Sequence, residues 1–506
     1  MLGLPVGTGP LWPANAATEP FAGPVPRAVC GPGSLPETDL QGRIPPTDVA
    51  SGRAAKGYTC NTVQVGHFPS RAGWKTLRYG DCAYYNSEPG GLPLAAFTNR
   101  NPGTHVMDVS DPAKPVQTDY LRTPAMQSPH ESMAIHKERG LLFAVLSNAA
   151  TAPGALEVWD VKTDCKHPTL LSTLPSALLG HEGNVSADGM TFYTGSLYAQ
   201  TLTAVDVSNP LAPTLISVEN VESHGMSTNP DGTRLYDTVR GGAGGLVIYD
   251  TSEIQQRQPG ARFKVISRMT WPEKSTPQFA MHVTIKGKPY VIETDEFGGT
   301  APTGGGPVGP IGAARIIDIS NEQAPYVVSN LRLEVHMPAN QVKLAEDTVP
   351  LFGSAYTGHY CSVPSFVDPG IVACSMLRSG VRVFDIRDPA KPKEIAYFSP
   401  PTTHDTVATG GTDGAFNTGA NVEFVPERAE MWLTGQQTGF HVVRFTNGVW
   451  PFRRAAAPAA PAPAVRPPAP APTPAPLPAT GLPWWTAAIG LAALGAAGYG
   501  VRRRLS

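Results

Sequence analysis

Histidines followed by acidic or aromatic residues recur along the chain, and they are the side chains best suited to bind a metal ion. They occur in His130-Glu131, His181-Glu182, Ser223-His224-Gly225 and Gly358-His359-Tyr360. His181 and His224 each lie seven residues before the Asp of an Asp-Gly turn, so they are expected at equivalent positions of a repeat. Imidazole nitrogens with carboxylate oxygens bind zinc or copper. The candidate ligands are therefore His130, Glu131, His181, Glu182, His224 and His359, with either glutamate as ligand or base.

A purely structural role is the alternative for these histidines, because inner-strand imidazoles also hydrogen-bond the backbone of a neighbouring element. His282, His336, His404 and His441 do not follow the pattern, and His282 is expected in the core. The acidic run 293–296 predicts either a calcium site or, preferably, a solvated acidic loop. No Gly-x-Ser-x-Gly elbow, phosphate-binding glycine loop or dinucleotide fingerprint occurs, so no catalytic residue is assigned.

The elements that position these histidines form a repeat in which a short apolar strand ends in Asp before a turn. The copies end at Asp108, Asp160, Asp206, Asp250, Asp318 and Asp385, and a degenerate copy runs from Phe440 to Phe445. Most copies lie roughly 45 to 70 residues apart, which is within the range of four-stranded propeller blades with insertions. Turn formers such as Asn229-Pro230-Asp231-Gly232 separate the strands upstream. Each unit therefore predicts four strands.

Seven such units predict an all-β, seven-bladed β-propeller over residues 62–453. The first blade is expected to begin near Asp81, and Thr62 to Val65 are expected to pair with the last blade and close the ring. An array of two β-sandwich domains is the alternative. The motif resembles that of the LVIVD-repeat bacterial proteins, as in Val383-Phe384-Asp385-Ile386, and the resemblance extends over residues 30–451. It implies the propeller fold, and it implies no common activity.

The C-terminal residues 477–506 combine a pentapeptide, an apolar run and a basic tail. Leu477, Pro478, Ala479, Thr480 and Gly481 are followed by an apolar segment at 482–501 and a tail at 502–506 that contains three arginines. About twenty apolar residues span a bilayer as a helix, and arginines remain on its cytoplasmic side. This order resembles the LPxTG-type signal cleaved by class A sortases, which implies cleavage after Thr480 and attachment to peptidoglycan. An ordinary C-terminal membrane anchor is the alternative.

The segments at either end of the predicted propeller suggest export. Residues 454–476 are almost entirely Ala and Pro, which predicts a disordered, wall-spanning stalk. Residues 1–16 end in Ala14-Asn15-Ala16, which is typical of a signal-peptidase site, but they contain no Lys or Arg. A truncated signal peptide and a longer natural N-terminus are therefore expected, followed by a turn-rich segment at 17–61.

Cysteine content and charge agree with an exported protein. The six cysteines form no Cys-x-x-Cys pair and suggest three disulfides, with free buried thiols as the alternative. Cys361 with Cys374 and Cys30 with Cys60 have local support, which leaves Cys82 with Cys165. A formal net charge of −2 gives no basic field for nucleic acid.

The favoured interpretation is a cell-wall-anchored, surface-exposed propeller that acts as a binding, scaffolding or adhesion module. Its expected partners are sortase, peptidoglycan and an unidentified surface ligand or protein, and it contacts the membrane only through the C-terminal helix before sorting. The alternative is a zinc- or copper-dependent surface hydrolase or oxidase that uses the channel histidines. The same side chains fit both interpretations.

Overall fold

The computed structural model describes residues 15–16, 23–87, 102–146, 154–175, 180–197, 199–240, 244–271, 276–296, 313–344, 347, 356–402 and 418–452. The chain divides into two compact units, residues 1–455 and 456–506, and every described residue belongs to the first. The predicted stalk, sorting motif and apolar helix at 482–501 therefore lie outside the described residues. Across the described ranges, no helix is both long and apolar enough to cross a membrane.

Seven antiparallel sheets form the propeller, and each is one blade of four main strands. The first strands of the blades are β4 (Thr76–Tyr79), β8 (Ala134–His136), β12 (Glu182–Val185), β16 (Met226–Thr228), β20 (Thr276–Ile285), β24 (Tyr360–Ser362) and β28 (Glu423–Val425). The second strands are β5 (Cys82–Asn86), β9 (Leu141–Val145), β13 (Thr191–Ser196), β17 (Arg234–Val239), β21 (Lys288–Glu296), β25 (Ile371–Ser375) and β29 (Glu430–Gly435). First strands contact the first strands of neighbouring blades and so surround the central channel.

The outer half of each blade contains the repeat motif. The third strands are β6 (Thr104–Asp108), β10 (Ala155–Asp160), β14 (Thr201–Asp206), β18 (Gly245–Asp250), β22 (Ala314–Asp318), β26 (Val381–Asp385) and β30 (Gly439–Phe445). The fourth strands are β7 (Val116–Leu121), β11 (Thr169–Pro175), β15 (Thr214–Glu219), β19 (Lys264–Thr270), β23 (Tyr326–Asn330), β27 (Lys393–Ser399) and β3 (Thr62–Phe68). Two short strands extend the outer edges, β1 (Asn15–Ala16) beside β19 and β2 (Tyr58–Cys60) beside β27.

The ring closes as the sequence predicts, because β3 from the start of the chain pairs with β30 at its end. The seven-bladed architecture and the placement of the repeated Asp residues in third strands are confirmed. The expected start of the first blade near Asp81 is wrong by one strand. Gly80 has a φ of 56° and forms, with Asp81, the turn between β4 and β5, so the blade begins at Thr76.

The repeated Asp has a structural role at the end of each third strand. One side-chain oxygen of Asp108, for example, accepts the backbone N–H of Ser110 at 2.9 Å, and Asp206 accepts that of Ser208 at 2.9 Å. The same bond from the residue two positions later recurs at Asp160, Asp250, Asp318 and Asp385. Such a bond fixes the turn towards the fourth strand. The motif is therefore explained by turn geometry and apolar burial, without a ligand.

Short helices and the N-terminal segment lie around the ring. The α-helices are α1 (Pro46–Ala50), α2 (Pro124–Gln127), α3 (Ser252–Gln255) and α4 (Gln341–Leu344), and the 3-10 helices are Ala54–Lys56, Glu334–His336, Pro338–Asn340 and Pro426–Arg428. The N-terminal segment packs along the sixth blade, where Arg43 pairs with Asp347 at 2.8 Å and Glu37 pairs with Arg382. These contacts are buried, so residues 23–61 are an integral part of the propeller unit.

Three disulfides join Cys30 to Cys60, Cys82 to Cys165 and Cys361 to Cys374. These are the pairs that the sequence suggests, and no cysteine is free. Cys361 and Cys374 are directly opposite each other on β24 and β25, so this bond fixes the innermost strand of the sixth blade. Disulfides persist in oxidising compartments, which points to a location outside the cytosol.

Candidate metal centre

The predicted histidines lie at one end of the central channel, where the first strands begin. His181 immediately precedes β12, His359 immediately precedes β24, and His224 lies two residues before β16. His130 precedes β8 by four residues, and its φ of 49° places a non-glycine residue in the left-handed region. Such backbone conformations cluster at functional sites. The propeller therefore brings together four imidazoles from the second, third, fourth and sixth blades.

Three of these imidazoles approach the carboxylate of Glu131. The Nε2 atom of His359 lies 3.1 Å from Oε1 of Glu131, and the Nε2 atoms of His181 and His224 lie 3.3 and 3.9 Å from Oε2. The ring of His130 lies edge-on to that of His181, with centroids 4.4 Å apart. All of these side chains are buried. Glu131 is thus the centre of the cluster.

One group within the cluster is compact enough to be a metal site. Ligand atoms of His130, Glu131 and His181 all lie within 4.8 Å of one another. No other group of three or more His, Cys, Asp or Glu meets this limit in the part of the chain that the structure describes. Three of the six residues that the sequence nominates are therefore brought together in the tightest arrangement.

The tautomers of His224 and His359 are fixed by backbone carbonyls. Nδ1 of His224 lies 2.6 Å from the carbonyl oxygen of Pro277, and Nδ1 of His359 lies 2.7 Å from that of Gly419. A carbonyl only accepts hydrogen bonds, so each Nδ1 is the protonated donor. In a neutral ring the lone pair is then on Nε2, the atom that faces the carboxylates. This is how backbone partners orient metal-binding imidazoles.

Two buried imidazole nitrogens of the cluster make no hydrogen bond to any described residue. They are Nδ1 of His130 and Nε2 of His224. A buried polar atom without a partner costs roughly 1–3 kcal/mol, so its retention requires an explanation. Both atoms belong to the cluster around Glu131. A metal ion would use such lone pairs directly.

Burial and neighbouring charge shift the pKa values of the cluster in opposite directions. Burial lowers the pKa of His130 to about 3, and burial also lowers the pKa of His224 well below 6.5. Although burial opposes protonation of His359, the carboxylates of Glu131 and Glu296 raise its pKa to about 10. Burial alone would raise the pKa of Glu131, but His130 and His359 hold it well below 4.5. His130 and His224 are therefore neutral at pH 7, as metal ligands must be.

Glu182, a predicted ligand, is directed to other partners. Its Oε1 accepts a 2.5 Å bond from Nζ of Lys75, and its Oε2 accepts one from the hydroxyl of Tyr360. The Lys75 ammonium also lies 4.1 Å from the centre of the Tyr360 ring. Burial raises the pKa of Glu182 to about 8 and outweighs the ammonium. Glu182 therefore belongs to a polar network beside the cluster, with both oxygens already bonded.

Glu296 is a carboxylate beside the cluster whose position the sequence did not predict. Its oxygens lie 3.8 Å from Nε2 of His224 and 3.5 Å from Nε2 of His359. The expected solvated loop at 293–296 is wrong, because these residues are the buried end of β21. Glu293 and Asp295 each direct one oxygen to Arg315, so these two carboxylates form a buried ion-pair network. The alternation of side chains along a strand could have indicated this position, because it places Glu296 on the opposite face from Asp295.

Gln278 is a second residue that the sequence did not indicate. Its side-chain Nε2 donates to Oε2 of Glu131 at 2.8 Å and lies 3.1 Å from the hydroxyl of Tyr360. It therefore connects Glu131 to the Lys75–Glu182–Tyr360 network. Of the histidines off the pattern, His282 is buried in β20 and stacks on Tyr236. His336 and His441 are buried elsewhere, and His404 lies outside the described residues.

Comparison with family models supports the repeat. Residues 198–220 match the family model of the LVIVD repeat, and this stretch includes all of β14 and β15. No curated protein matches the chain significantly. Similar solved structures include Kuenenia stuttgartiensis hydrazine synthase, with 11% identity, a TM-score of 0.46 and coverage of 75% of this chain and 97% of that one. The β-propeller domain of Myceliophteria thermophila Cps50 (Swd1) gives 11% identity, a TM-score of 0.46 and coverage of 76% and 99%. A protein from Lactobacillus plantarum gives 13% identity, a TM-score of 0.45 and coverage of 73% of this chain and 90% of that one.

Proposed function

We propose that the protein is an exported β-propeller that binds a divalent transition-metal ion at the histidine end of its channel. The observation that carries the proposal is the compact group of His130, Glu131 and His181, whose ligand atoms lie within 4.8 Å of one another. His130 contributes a buried nitrogen without a hydrogen-bond partner among the described residues, and Glu131 contributes a carboxylate with a lowered pKa. Both features favour a bound cation.

The donor atoms indicate the class of metal. Imidazole nitrogen and carboxylate oxygen suit zinc, copper(II), iron(II) or manganese(II), whereas copper(I) prefers thiolate or thioether sulfur. All six cysteines are in disulfides, so no thiolate is offered. Metal–ligand bonds of about 2.1 Å place tetrahedral ligand atoms about 3.4 Å apart. Side-chain movements of roughly 1 Å would therefore complete the site.

Elemental analysis of protein produced without a histidine tag tests the proposal. After incubation with zinc and removal of excess metal, at least one zinc per chain is expected. His181→Ala and Glu131→Gln should each remove it, whereas the control His282→Ala replaces a buried histidine outside the cluster and should retain it. Thermal melts of each variant would identify unfolding. Wild-type protein without bound metal, or equal binding by His181→Ala, would refute the proposal.

Display on the cell wall is the second part of the proposal. It is supported by the three disulfides, which suit an oxidising compartment, and by the LPxTG-type order of residues 477–506. Propellers present loops around a channel, which suits a binding or scaffolding module. Mass spectrometry of wall digests should find Thr480 joined to a peptidoglycan fragment. Peptides that continue past Gly481 in the wall fraction would contradict sorting.

The second candidate function is that of a metal-dependent enzyme, and the number of protein ligands in the compact group favours it. His130, Glu131 and His181 supply three ligands, and catalytic zinc sites keep a fourth position for water or substrate. Zinc-loaded protein can be tested with ester and phosphoester substrates. Turnover that disappears with the metal in His181→Ala would support this candidate. Zinc-loaded protein without turnover would leave the binding module as the function.

A further inference from the structure

The carboxylate of Glu131 faces more imidazoles than the compact group uses. Oε2 lies 3.3 Å from Nε2 of His181 in the third blade and 3.9 Å from Nε2 of His224 in the fourth. Oε1 lies 3.1 Å from Nε2 of His359 in the sixth blade. The compact group accounts for His130, Glu131 and His181 only. His224, His359 and Glu296 are buried beside it and have no role in a single-ion site.

These three remaining residues form a second ligand set. The Glu296 oxygens lie 3.8 Å from His224 Nε2 and 3.5 Å from His359 Nε2, so one carboxylate faces both imidazoles. Backbone carbonyls hold both Nδ1 atoms, and Nε2 is therefore directed at Glu296 and Glu131 in each ring. Nε2 of His224 is fully buried and has no hydrogen-bond partner among the described residues. These residues come from the fourth, fifth and sixth blades, and both imidazoles face Glu296, although the set is less compact than the first one.

We infer that the channel binds a second divalent metal ion between His224, His359 and Glu296, and that Glu131 bridges the two ions. This inference rests on the proposed function, because the first ion is the one bound by His130, Glu131 and His181. A carboxylate with two oxygens is a common bridge in sites whose metal ions lie about 3.5–4 Å apart. Each ion would then have two imidazoles and one oxygen of Glu131, and the second would also have Glu296.

Charge defines what such a pair of ions would accept. Glu131 and Glu296 are the carboxylates that face the imidazoles, since Glu182 is bonded to Lys75 and Tyr360. Two divalent ions exceed the charge of two carboxylates, so the pair retains positive charge at the open coordination positions. Hydroxide or a small oxyanion that spans both metals would balance it. The ligand class that follows from the second ion is therefore a bridging oxyanion.

Gln278 has a defined role in this arrangement. It donates to Oε2 of Glu131 at 2.8 Å, on the side of the first ion set, and so fixes the rotation of the carboxylate plane. It is a positioning residue, because its side-chain amide N–H donates to Glu131 and so acts on the ions through that carboxylate. Gln278→Leu should weaken the binding of both metal ions. Gln278→Glu should also change their affinity, although all the metal-ligating side chains are retained.

Metal stoichiometry tests the second ion directly. The complete extracellular chain would be titrated with zinc and with cobalt(II), and bound metal would be counted after gel filtration. Two ions per wild-type chain are expected, one in His224→Ala and in the isosteric variant Glu296→Gln, and none in Glu131→Gln, which lacks the ligand shared by both ions. The control His282→Ala should bind two. Cobalt-loaded wild type should show magnetic coupling between the ions, and the Glu296→Gln variant should lose it.

The outcomes separate the two claims. No metal in folded wild-type protein would overturn the proposed function and the second ion together. One ion that is lost in His181→Ala but retained in His224→Ala and Glu296→Gln would overturn only the second ion. In that case His359 would serve as a charge partner of Glu131 and Glu296. Thermal melts and the Glu296→Gln variant, which preserves side-chain size, distinguish lost ligands from lost folding.

Discussion

Replacing Glu182 by Gln should change how the stability of the metal-free propeller depends on pH. Glu182 is fully buried at the start of β12 and is bonded to Lys75 and Tyr360. Burial raises its pKa from 4.5 to about 8, so the folded protein holds this proton at neutral pH. The unfolded chain loses the same proton near pH 4.5. Gln has the same size and can bond to the same two partners, but it does not titrate.

The size and sign of the effect follow from this difference. Because one pKa unit is worth about 1.4 kcal/mol, a rise from 4.5 to about 8 contributes at most about 5 kcal/mol. A raised pKa means that the stabilisation is complete below about pH 4.5 and is lost as the pH rises through about 8. The wild type should therefore lose about 2–4 kcal/mol more stability than Glu182→Gln between pH 5 and pH 9.

Urea unfolding with a chelator present measures this difference. Both proteins would be unfolded at pH 5, 7 and 9, and the free energies would be compared after linear extrapolation. Other buried acids such as Glu293 and Asp237 titrate in both proteins, so their contributions cancel in the comparison. Parallel pH profiles for the two proteins would refute the raised pKa. A wild-type profile that rises with pH relative to the variant would show the opposite sign.

The remaining predictions concern the repeat turn, a disulfide and the metal. Asp206→Ala should cost about 1–2 kcal/mol, because it removes the bond to the Ser208 N–H and a partly exposed pair with Arg257, whereas Asp206→Asn should cost less than half of that by denaturant unfolding. Replacing Cys361 and Cys374 together by Ala should cost about 2–4 kcal/mol, and equal melting temperatures would contradict a role for this bond. A chelator should lower the melting temperature of zinc-loaded wild type, because an ion at a thousandfold excess over Kd stabilises by about 4 kcal/mol, and it should leave His181→Ala unchanged.

The sequence repeat predicted the blades because every third strand needs the same types of residue. Apolar residues fill the space between blades, and an Asp then fixes the following turn, so copies such as those ending at Asp108 and Asp385 are recognisable. The pairing of Thr62 to Val65 with the last blade followed from the need to protect sheet edges. The start of the first blade was misplaced because β4 contains no such motif.

The candidate site was only partly predictable, because its residues depend on alignment across blades. Each histidine lies one to four residues before a first strand, and the regular spacing was visible only next to the Asp-Gly turns of the third and fourth blades. Glu296 comes from the end of a second strand and is adjacent to the channel only through its pairing with Thr276. Gln278 lies in the first strand β20 and Lys75 immediately before the first strand β4, and neither residue type suggests metal binding. Sequence also gave no sign that Lys75 would bond to Glu182 across the channel.

The histidine cluster and the last described residues occupy opposite ends of the ring. First strands begin at the histidine end, and the turns that connect them to second strands lie at the other end. Gly370 precedes β25 in one of these turns, and the ring of Phe452, at the end of the described chain, lies next to it. The chain therefore leaves the propeller at the end opposite the histidines. The candidate metal centre and the last described residues of the propeller therefore lie at opposite ends of the ring.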